Sequence, residues 1–365
     1  MYCQEFTVKS VNKSRYHWIT GAFVFRQTIN RKVDLSRFTD TTRHLTNSGI
    51  PTQGIAFYHQ STLDLLQGLS CSVGLRYDYE HARCDFSKVQ QPLNGNGETK
   101  SLEQFNRSLH FGQFTPRFSM QYLSSHNQLF YASVSKGYKA GGFNVSFLNN
   151  DDYLYSPEYN WNYEIGTKLS FLNNRLSADL SLFYIDWRNQ QITNTIPTVG
   201  NVIRNAGRSR NKGIEASFQA RPTKSWMMYI NYGYTDARFV HYQKEERGIL
   251  KDYGGNYLPM VPRHTFSLTT GYSFYDICSW IDRLTLNAGV SVTGPIYWYE
   301  DNQAKQSPYA LVNLRISINK GCFTWEVWSK NLTNTDYLSY YFVTSKAYAQ
   351  KGKPITLGTS VSISL

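Results

Sequence analysis

Long stretches of the chain alternate strictly between apolar and polar residues. The clearest covers residues 284–293, where Leu, Ala and Val at even positions are separated by Thr, Asn, Gly and Ser at odd positions. The same alternation recurs in residues 69–79, 176–184 and 355–365, and in the last of these only Thr359 places a polar side chain on the apolar face. A period of two residues predicts β-strands with one apolar and one polar face. The sequence therefore predicts an all-β fold.

Extended along the whole chain, this pattern predicts roughly fourteen antiparallel strands. They cover residues 16–25, 54–64, 69–80, 109–123, 128–139, 161–171, 175–187, 209–220, 225–239, 262–274, 283–295, 308–319, 322–333 and 354–365. Most have about 10 to 13 residues, whereas strands of soluble sheets typically have about 5 to 6. Such lengths suit tilted strands that cross a bilayer.

The predicted connections alternate between short and long. The short ones are Leu65–Gly68, Ser124–Asn127, Leu172–Asn174, Arg221–Lys224, Tyr275–Asp282 and Lys320–Gly321. The long ones are Arg26–Gln53, His81–Ser108, Ala140–Asn160, Arg188–Arg208, Val240–Val261, Ile296–Ser307 and Asn334–Lys353. Outer-membrane barrels combine short periplasmic turns with long extracellular loops. We therefore predict an antiparallel transmembrane β-barrel that occupies residues 1–365 as a single domain.

A soluble propeller or jelly roll is the alternative, because its strands also alternate with one face buried. Two features favour the membrane barrel. The polar face carries Ser, Thr, Asn, Gly, Arg and Asp, as a water-filled lumen would, and aromatic residues cluster near the ends of predicted strands, as at membrane interfaces. These aromatic clusters are Tyr184 with Trp187, Tyr297 with Trp298 and Tyr299, and Tyr337 with Tyr340, Tyr341 and Phe342.

Composition excludes several other classes of protein. The chain has 365 residues, and 38 Lys and Arg against 26 Asp and Glu give a net charge of +12. Its mean hydropathy is −0.47, and no apolar run approaches the roughly 18 to 20 residues of a membrane-spanning helix. Its five cysteines are scattered and odd in number, which indicates neither a disulfide framework nor a metal site. No secretory signal is visible in residues 1–25.

Several sequence motifs resemble the C-terminal barrel of TonB-dependent outer-membrane receptors, which import ferric siderophores, haem and cobalamin. The most specific motif is residues 130–144, FYASVSKGYKAGGFN, and residues 164–168, 205–207, 212–215, 262–264, 331–337 and 352–354 add to the resemblance. The resemblance identifies these residues as the family's scaffold motif: Gly137, Gly141, Gly142, Glu164, Asn205, Gly207, Gly213, Glu215, Asn331 and Tyr337.

The resemblance also implies parts that are not legible in this sequence. Members of the family have a signal peptide, a short box that binds the TonB complex, and a plug domain inside a 22-stranded barrel. The expectation is thus the C-terminal part of such a barrel, without plug or signal peptide. The chain departs from the family pattern at Leu365, where Phe is usual, and at Lys353, where Arg is preferred.

Local features of these motifs have scaffold interpretations. Gly141 and Gly142 follow a strand and are expected to permit a turn with unusual φ. The charged residues of the polar face are expected to pair across strands inside the lumen, although a role in lining the cargo route stays open. These residues are Glu164, Lys168 and Glu215. The basic cluster Arg204, Arg208, Arg210 and Lys212 is interpreted as lumen or lipopolysaccharide charge rather than a nucleic-acid patch, because no nucleic-acid fold surrounds it.

Motifs for catalysis are absent, since the chain has no G-x-S-x-G, H-E-x-x-H or Walker A sequence. We therefore expect no enzyme, no metal ligands and no cofactor, with iron present only as chelated cargo. The resemblance implies energy-dependent uptake of a ferric siderophore or similar chelate at the outer membrane, with the TonB complex and lipopolysaccharide as partners. The alternative is a passive channel with fourteen strands, of the fatty-acid-channel or porin type. Candidate cargo-binding aromatic residues in the predicted loops are Tyr155, Trp161, Tyr297, Trp298 and Tyr341.

Overall fold

A computed structural model describes residues 1–11, 14–36, 41–93, 97–196, 199–205, 207–246, 249–343 and 346–364, and it is almost entirely β-structure. One short 3-10 helix, Asn150–Tyr153, interrupts the strands of the described ranges. No helix within those ranges has the length and apolar character needed to cross a membrane. The final residue, Leu365, lies outside the described residues.

Twenty-five strands follow one another along the described chain. They are β1 (Tyr2–Lys9), β2 (Tyr16–Leu35), β3 (Thr42–Leu66), β4 (Leu69–Pro92), β5 (Lys100–Leu123), β6 (Leu129–Lys139), β7 (Gly142–Phe143), β8 (Leu154–Tyr155), β9 (Glu158–Phe171), β10 (Leu176–Arg188), β11 (Gln191–Ile196), β12 (Gly200–Asn205), β13 (Arg208–Ala220), β14 (Trp226–His241), β15 (Gln243–Glu246), β16 (Ile249–Asp252), β17 (His264–Cys278), β18 (Ile281–Thr293), β19 (Ile296–Tyr297), β20 (Lys305–Gln306), β21 (Tyr309–Lys320), β22 (Phe323–Lys330), β23 (Leu338–Val343), β24 (Ala347–Lys351) and β25 (Thr356–Ile363).

Fifteen of these strands form one sheet in the order β1-β2-β3-β4-β5-β6-β9-β10-β13-β14-β17-β18-β21-β22-β25. Sequential neighbours pair antiparallel, as in β17 and β18, where the register runs from Thr265 opposite Thr293 to Tyr275 opposite Arg283. The remaining strands form two-stranded ladders: β7 with β8, β11 with β12, β15 with β16, β19 with β20, and β23 with β24. Each ladder lies within one of the predicted long connections.

The chain divides into two compact units, which are described separately below. Unit 1 comprises Met1–Met120, Val134–Trp161 and Trp187–Ala206. Unit 2 comprises Gln121–Ser133, Asn162–Asp186 and Gly207–Leu365.

The predicted strands are confirmed, with two corrections. The first strand of the sheet, β1, was not predicted, because in Tyr2–Lys9 the polar Gln4 interrupts the apolar positions and leaves only a short alternating pattern. The long connections predicted at Arg26–Gln53 and His81–Ser108 are wrong, because β2, β3, β4 and β5 continue through most of those residues as strands of 20 to 25 residues.

The course of β4 explains why these extensions were missed. Its exposed apolar residues first lie at odd positions, with Val73 56%, Leu75 49% and Tyr79 41% exposed. Beyond residue 80 the apolar residues lie at even positions and are buried, with Cys84 at 0% and Phe86 at 3%. The apolar face therefore changes sides within one strand. The buried cluster of this half consists of Ala82, Cys84, Phe86 and Phe143, with Ile50, Phe105, Leu109, Val145 and Phe147 packed against it.

The sheet thus presents an apolar face to its surroundings over much of its length. In β22 the exposed apolar residues are Phe323, Trp325 and Val327, and the residues between them, Thr324 and Glu326, are less exposed. Soluble monomeric proteins rarely expose contiguous apolar surface of this extent.

Glycines and aromatic rings lie face to face on several neighbouring strands. The ring of Trp328 occupies the space where a Cβ of Gly358, its direct partner in β25, would lie. Equivalent pairs are Gly21 with Tyr58, Gly54 with Phe25, Gly166 with Tyr131, and Gly213 with Phe183. An aromatic ring that covers a glycine shields its backbone and fixes the strand register. These pairs add packing contacts between neighbouring strands of the sheet.

Candidate functional site

In unit 1 the long loops are held by a buried asparagine from the GGFN segment. Asn144 is 3% exposed, and its Nδ2 donates to the carbonyl oxygens of Asp152 and Ile203, both at 2.8 Å. Its Oδ1 accepts from the backbone N–H of Ile203 at 2.8 Å. One side chain therefore ties the loop after β7 to β12, which lies almost sixty residues further along the chain.

The two glycines before this asparagine serve a different purpose from the one predicted. Neither Gly141 nor Gly142 has a positive φ, so the expected unusual turn is wrong. A Cβ on Gly141 would meet the backbone oxygen of Tyr155, and one on Gly142 would meet the phenol ring of that residue. The glycines are needed because β7 and β8 approach each other closely there. The predicted cargo-binding residue Tyr155 therefore packs on the motif, and burial raises its pKa.

An ion pair joins the same loop to β12. The guanidinium of Arg204 donates to Asp152 through Nε at 2.7 Å and Nη2 at 2.9 Å, and Asp152 is 6% exposed. Asp152 also accepts from the backbone N–H of Leu148 at 3.2 Å. The hydrogen bonds from Arg204 lower the pKa of Asp152 against the opposing effect of burial. A bidentate pair of this kind fixes both orientation and charge.

Aromatic residues pack under this loop. Tyr153 stacks on Phe105 with ring centroids 4.7 Å apart and meets Phe147 edge-on at 4.4 Å. Its hydroxyl donates to Glu103, and Cζ of Arg107 lies 5.0 Å from its ring centroid. The loop therefore closes over the buried cluster of β4 and β5.

Asn205 holds the end of β12 through backbone contacts. Its Nδ2 donates to the carbonyl oxygens of Asn189 at 2.7 Å and Ser156 at 2.9 Å, while its Oδ1 accepts from the N–H of Ser156 at 2.8 Å. Trp161, another predicted cargo-binding residue, is half-buried on β9. Gly137 packs against Asn160, because a Cβ on Gly137 would lie 2.9 Å from the side-chain amide nitrogen and oxygen of Asn160.

In unit 2 the loop residues build a cluster of aromatic rings and guanidinium groups. Tyr257 and Tyr297 stack with centroids 5.6 Å apart and an angle of 8° between the rings. Cζ of Arg238 lies 4.0 Å from the centroid of Tyr257, and Cζ of Arg263 lies 4.9 Å from it. The charge of Arg238 is balanced by Asp236, whose Oδ1 accepts from its Nε at 2.8 Å.

The remaining predicted aromatic residues, Trp298 and Tyr341, pack against each other. Trp298 is 6% exposed and packs against Tyr340 and Tyr341, with both centroid distances 6.4 Å, so its indole belongs to the interior of the loops. Tyr341 meets Tyr299 edge-on at 6.3 Å, and the Tyr299 hydroxyl accepts from the backbone N–H of Val343 at 2.6 Å. Burial is the main reason that the pKa of Tyr299 is raised.

Other motif residues of unit 2 occupy structural positions. Asn331 is 4% exposed, with Nδ2 donating to the carbonyl oxygens of Thr335 and Lys353, both at 3.0 Å. Tyr337 stacks on Tyr309 at 4.4 Å, and its ring fills the space beside Gly352.

The strand positions of the motif differ in packing. Glu164 accepts from the Tyr131 hydroxyl at 2.7 Å, and Glu215 is exposed on β13. A Cβ on Gly207 would lie 2.5 Å from the carbonyl oxygen of His241, and one on Gly213 would meet that of Tyr234.

The basic cluster predicted at residues 204–212 has carboxylate partners in both units. In unit 1, Arg204 binds Asp152 as described above. In unit 2, Arg208 lies 2.6 Å from Asp186, and Lys212 lies 3.9 Å from Asp236. These pairs neutralise much of the positive charge that the sequence concentrates there.

The sequence analysis did not single out Arg238 or Tyr257 as functional residues. Arg263 stood in the quoted motif Pro262–His264, but without an assigned role. The only sequence signal for the cluster was the density of aromatic and basic residues in the long connections. Among the described residues, no group of three or more His, Cys, Asp or Glu side chains could hold a metal ion.

This chain is similar to known proteins in sequence and in fold. The family model described as TonB dependent receptor-like, beta-barrel, matches residues 6–334. The pesticin receptor of Yersinia pestis is 24% identical over 354 residues, which cover 93% of this chain and 48% of the receptor. The ferrichrome outer membrane transporter and phage receptor of Escherichia coli is 24% identical over 241 residues, covering 64% of this chain and 30% of that protein.

Solved structures share the fold. The ferric yersiniabactin uptake receptor of Yersinia pestis superimposes with a TM-score of 0.82 at 20% identity, covering 99% of this chain and 53% of that receptor. The ferric-catecholate import receptor of Escherichia coli gives a TM-score of 0.65 at 15% identity, covering 98% and 59%. The chain spans about half the length of the curated pesticin receptors that it matches. Because the family model matches most of its residues, the chain belongs to the TonB-dependent receptor-like β-barrel family.

Proposed function

We propose that this chain is the membrane-embedded part of an outer-membrane receptor for energy-dependent uptake of a ferric siderophore or similar iron chelate. The match of the receptor family model to residues 6–334 carries this proposal. The exposed apolar side chains of the strands support it, since in a lipid environment they would face hydrocarbon. The names of the relatives, which include a ferrichrome transporter and a ferric yersiniabactin uptake receptor, point to the same cargo class.

The loop cluster of unit 2 has the chemistry that such a cargo requires. Ferric chelates combine aromatic or hydroxamate groups with negative charge, and guanidinium groups above aromatic rings favour both. The two guanidinium groups differ in their partners, because Arg238 is paired with the carboxylate of Asp236, while Arg263 has a hydrogen bond with the neutral Tyr234 and a buried Nε without a hydrogen-bond partner. In this proposal Tyr257, Tyr297 and Arg263 contact the chelate, and the buried Trp298 supports them from below.

The remaining expectations form part of the proposal. Iron enters as a chelate, so the chain contributes neither a metal site nor a cofactor and acts as a transport receptor rather than an enzyme. The TonB complex would supply energy to the complete receptor. Lipopolysaccharide would contact a polar groove of about 710 Å³ in unit 1, where Lys32, Asn47, Asp85 and Asn106 are among the lining residues.

Uptake of radioactive iron tests the proposal against the passive channel. Deletion of the native gene should abolish accumulation of one ferric chelate in iron-starved cells, and restoring the gene should recover it. Accumulation should stop when an uncoupler collapses the proton-motive force, because a receptor of this family concentrates its cargo. Entry that persists under the uncoupler and never exceeds the external concentration would favour the passive channel instead.

Within the described residues Arg263 forms no ion pair with a carboxylate, and replacing its guanidinium should weaken binding of the chelate. We expect Arg263→Gln in the native gene to raise the apparent KM for uptake about tenfold, because it removes a charge-assisted contact and a cation–π contact. The maximal rate should change little. Lys346→Gln removes a charge from an exposed loop position and serves as the control. An unchanged KM for Arg263→Gln would remove this residue from the cargo site.

The two faces of β4 should differ in access to water. After the five free cysteines are replaced, single cysteines at Ser72 and Val73 should react differently with a membrane-impermeant maleimide. We expect the odd positions of Leu69–Tyr79, and likewise the even positions of Leu284–Val292, to be protected because they face lipid. Equal labelling at Ser72→Cys and Val73→Cys would contradict the proposed orientation.

A further inference from the structure

A second cavity lies in unit 2 on the face of the sheet opposite the exposed apolar residues. It has a volume of about 570 Å³ and is lined at alternate positions of β17 and β18, including Ser273 and Thr285. Those residues face each other directly in the register, and the apolar Tyr272 and Leu286 point to the other side. The cavity therefore lies on the polar face, at the end of the sheet with the short turns.

Four cationic side chains line this cavity, and none of its lining residues is acidic. The four are Arg175, Arg221, Lys224 and Arg283. The first two are held next to each other, because the backbone N–H of Arg221 donates to the carbonyl oxygen of Arg175 at 2.7 Å. Arg283 donates through Nε to Asn319 at 3.1 Å, a neutral partner.

The carboxylate of Asp282, at the start of β18, already has other partners. Asp282 accepts from Nζ of Lys320 and from the backbone N–H of Gly321, both at 2.7 Å. Within the described part of the chain no ion pair joins any of the four cations to a carboxylate. This contrasts with Arg204, Arg208 and Lys212, each of which has an acidic partner. All four side chains are exposed, so water and salt weaken their mutual repulsion, but grouped without a carboxylate partner they create a positive potential that favours an anion.

We propose that this cavity is a binding site for a small multivalent anion that carries carboxylate or phosphate groups. The three guanidinium groups supply paired N–H donors for such oxygens. The hydroxyls of Ser273 and Thr285 hydrogen-bond to each other at 3.0 Å, which leaves one O–H of the pair as a neutral donor. A volume of about 570 Å³ lies within the range of small-molecule sites rather than that of an ion bound at the surface. The inference concerns the polar face alone, and it stands whether or not the chain imports iron.

The site predicts an unusual response of stability to salt. In the protein purified from its native gene in a non-ionic detergent, citrate and pyrophosphate should raise Tm more than sodium chloride at equal ionic strength. The double variant Arg221→Gln/Arg283→Gln should have a higher Tm than the wild type without added anion, because it relieves repulsion. It should also bind citrate at least tenfold more weakly, since it removes two charge-assisted partners.

Two comparisons decide the result. Lys320→Gln removes a cation at the same end of the sheet that already has a partner, and it should leave the citrate titration unchanged. A hexaglutamate peptide tests whether the partner is instead an acidic polypeptide. Equal effects of citrate and chloride, unchanged citrate binding by the double variant, or tighter binding of hexaglutamate than of citrate would each overturn the proposal. Because these titrations use no iron chelate, they succeed or fail separately from the uptake experiment.

Discussion

Gly213→Ala should destabilise the protein by about 3 kcal/mol, at the upper end of the range for overpacking a close-packed site. A Cβ at this position meets the backbone carbonyl oxygen of Tyr234 as well as the ring of Phe183. The ring can turn away, but the carbonyl belongs to the β13–β14 ladder and cannot move without breaking the pairing of Gly213 with Thr235. We therefore expect Gly213→Ala/Phe183→Ala to remain strongly destabilised.

Gly358 provides the matched contrast, because the three atoms nearest to its Cβ position all belong to the ring of Trp328 rather than to backbone. Gly358→Ala should cost about 1 to 3 kcal/mol, and the addition of Trp328→Ala should remove most of that crowding. A double-mutant cycle should then give a clear coupling energy for Gly358 with Trp328 and a smaller one for Gly213 with Phe183.

Urea unfolding followed by circular dichroism measures both cycles. Gly289→Ala is the control, since the nearest atoms to its Cβ position are 3.8 Å away and the substitution should be nearly neutral. If Gly213→Ala proved as stable as Gly289→Ala, close strand contact could not be the reason for glycine in this motif.

The alternation of apolar and polar residues predicted most strands of this sheet. Over much of each strand, one face of the sheet is apolar and exposed, and the opposite face is polar. It missed the parts of β2 to β5 that continue into the predicted connections Arg26–Gln53 and His81–Ser108. In β4 the apolar face passes from odd to even positions between Tyr79 and Ala82, since beyond that point a loop covers the inner side and solvent the outer side. A prediction based on apolar residues at odd positions ends where the apolar residues move to even positions. Strand length could therefore not be inferred from a single phase of the pattern.

The candidate sites were predictable only in part. Aromatic residues in the long connections indicated where binding could occur, and Tyr297 indeed lies in the cluster with Tyr257. The roles of Arg238 and Asn144 were not predicted, because each contacts a partner far along the chain, Tyr257 for Arg238 and Ile203 for Asn144, which lie 19 and 59 residues away. The motif glycines were recognised by resemblance, but the reason for them was misjudged. Tyr155 occupies the space in which side chains at Gly141 and Gly142 would lie, and this contact results from the pairing of β7 with β8.

Asp152→Ala should loosen the loop of unit 1 without unfolding the sheet. The substitution removes both hydrogen bonds from Arg204 and the one from Leu148, and it takes the Asp152 carboxylate away from a guanidinium that is 33% exposed. Because Arg204 keeps access to water, the cost should be about 2 kcal/mol rather than the larger value of a fully buried pair. Amide protection in residues 144–153 should fall about thirtyfold. Protection in β17 and β18 should not change.

The same pair should make the loop sensitive to acid. Arg204 lowers the pKa of Asp152 below its usual 3.8, so the stabilisation is fully present above that value and is lost as the pH falls through the lowered pKa. Hydrogen exchange measured across this range should show loop protection declining in the wild type but independent of pH in Asp152→Asn, which has no charge to lose. A decline of equal size in both proteins would mean that another acid controls the loop. The charge of Asp152 would then contribute nothing to closing the loop over the aromatic cluster of β4 and β5.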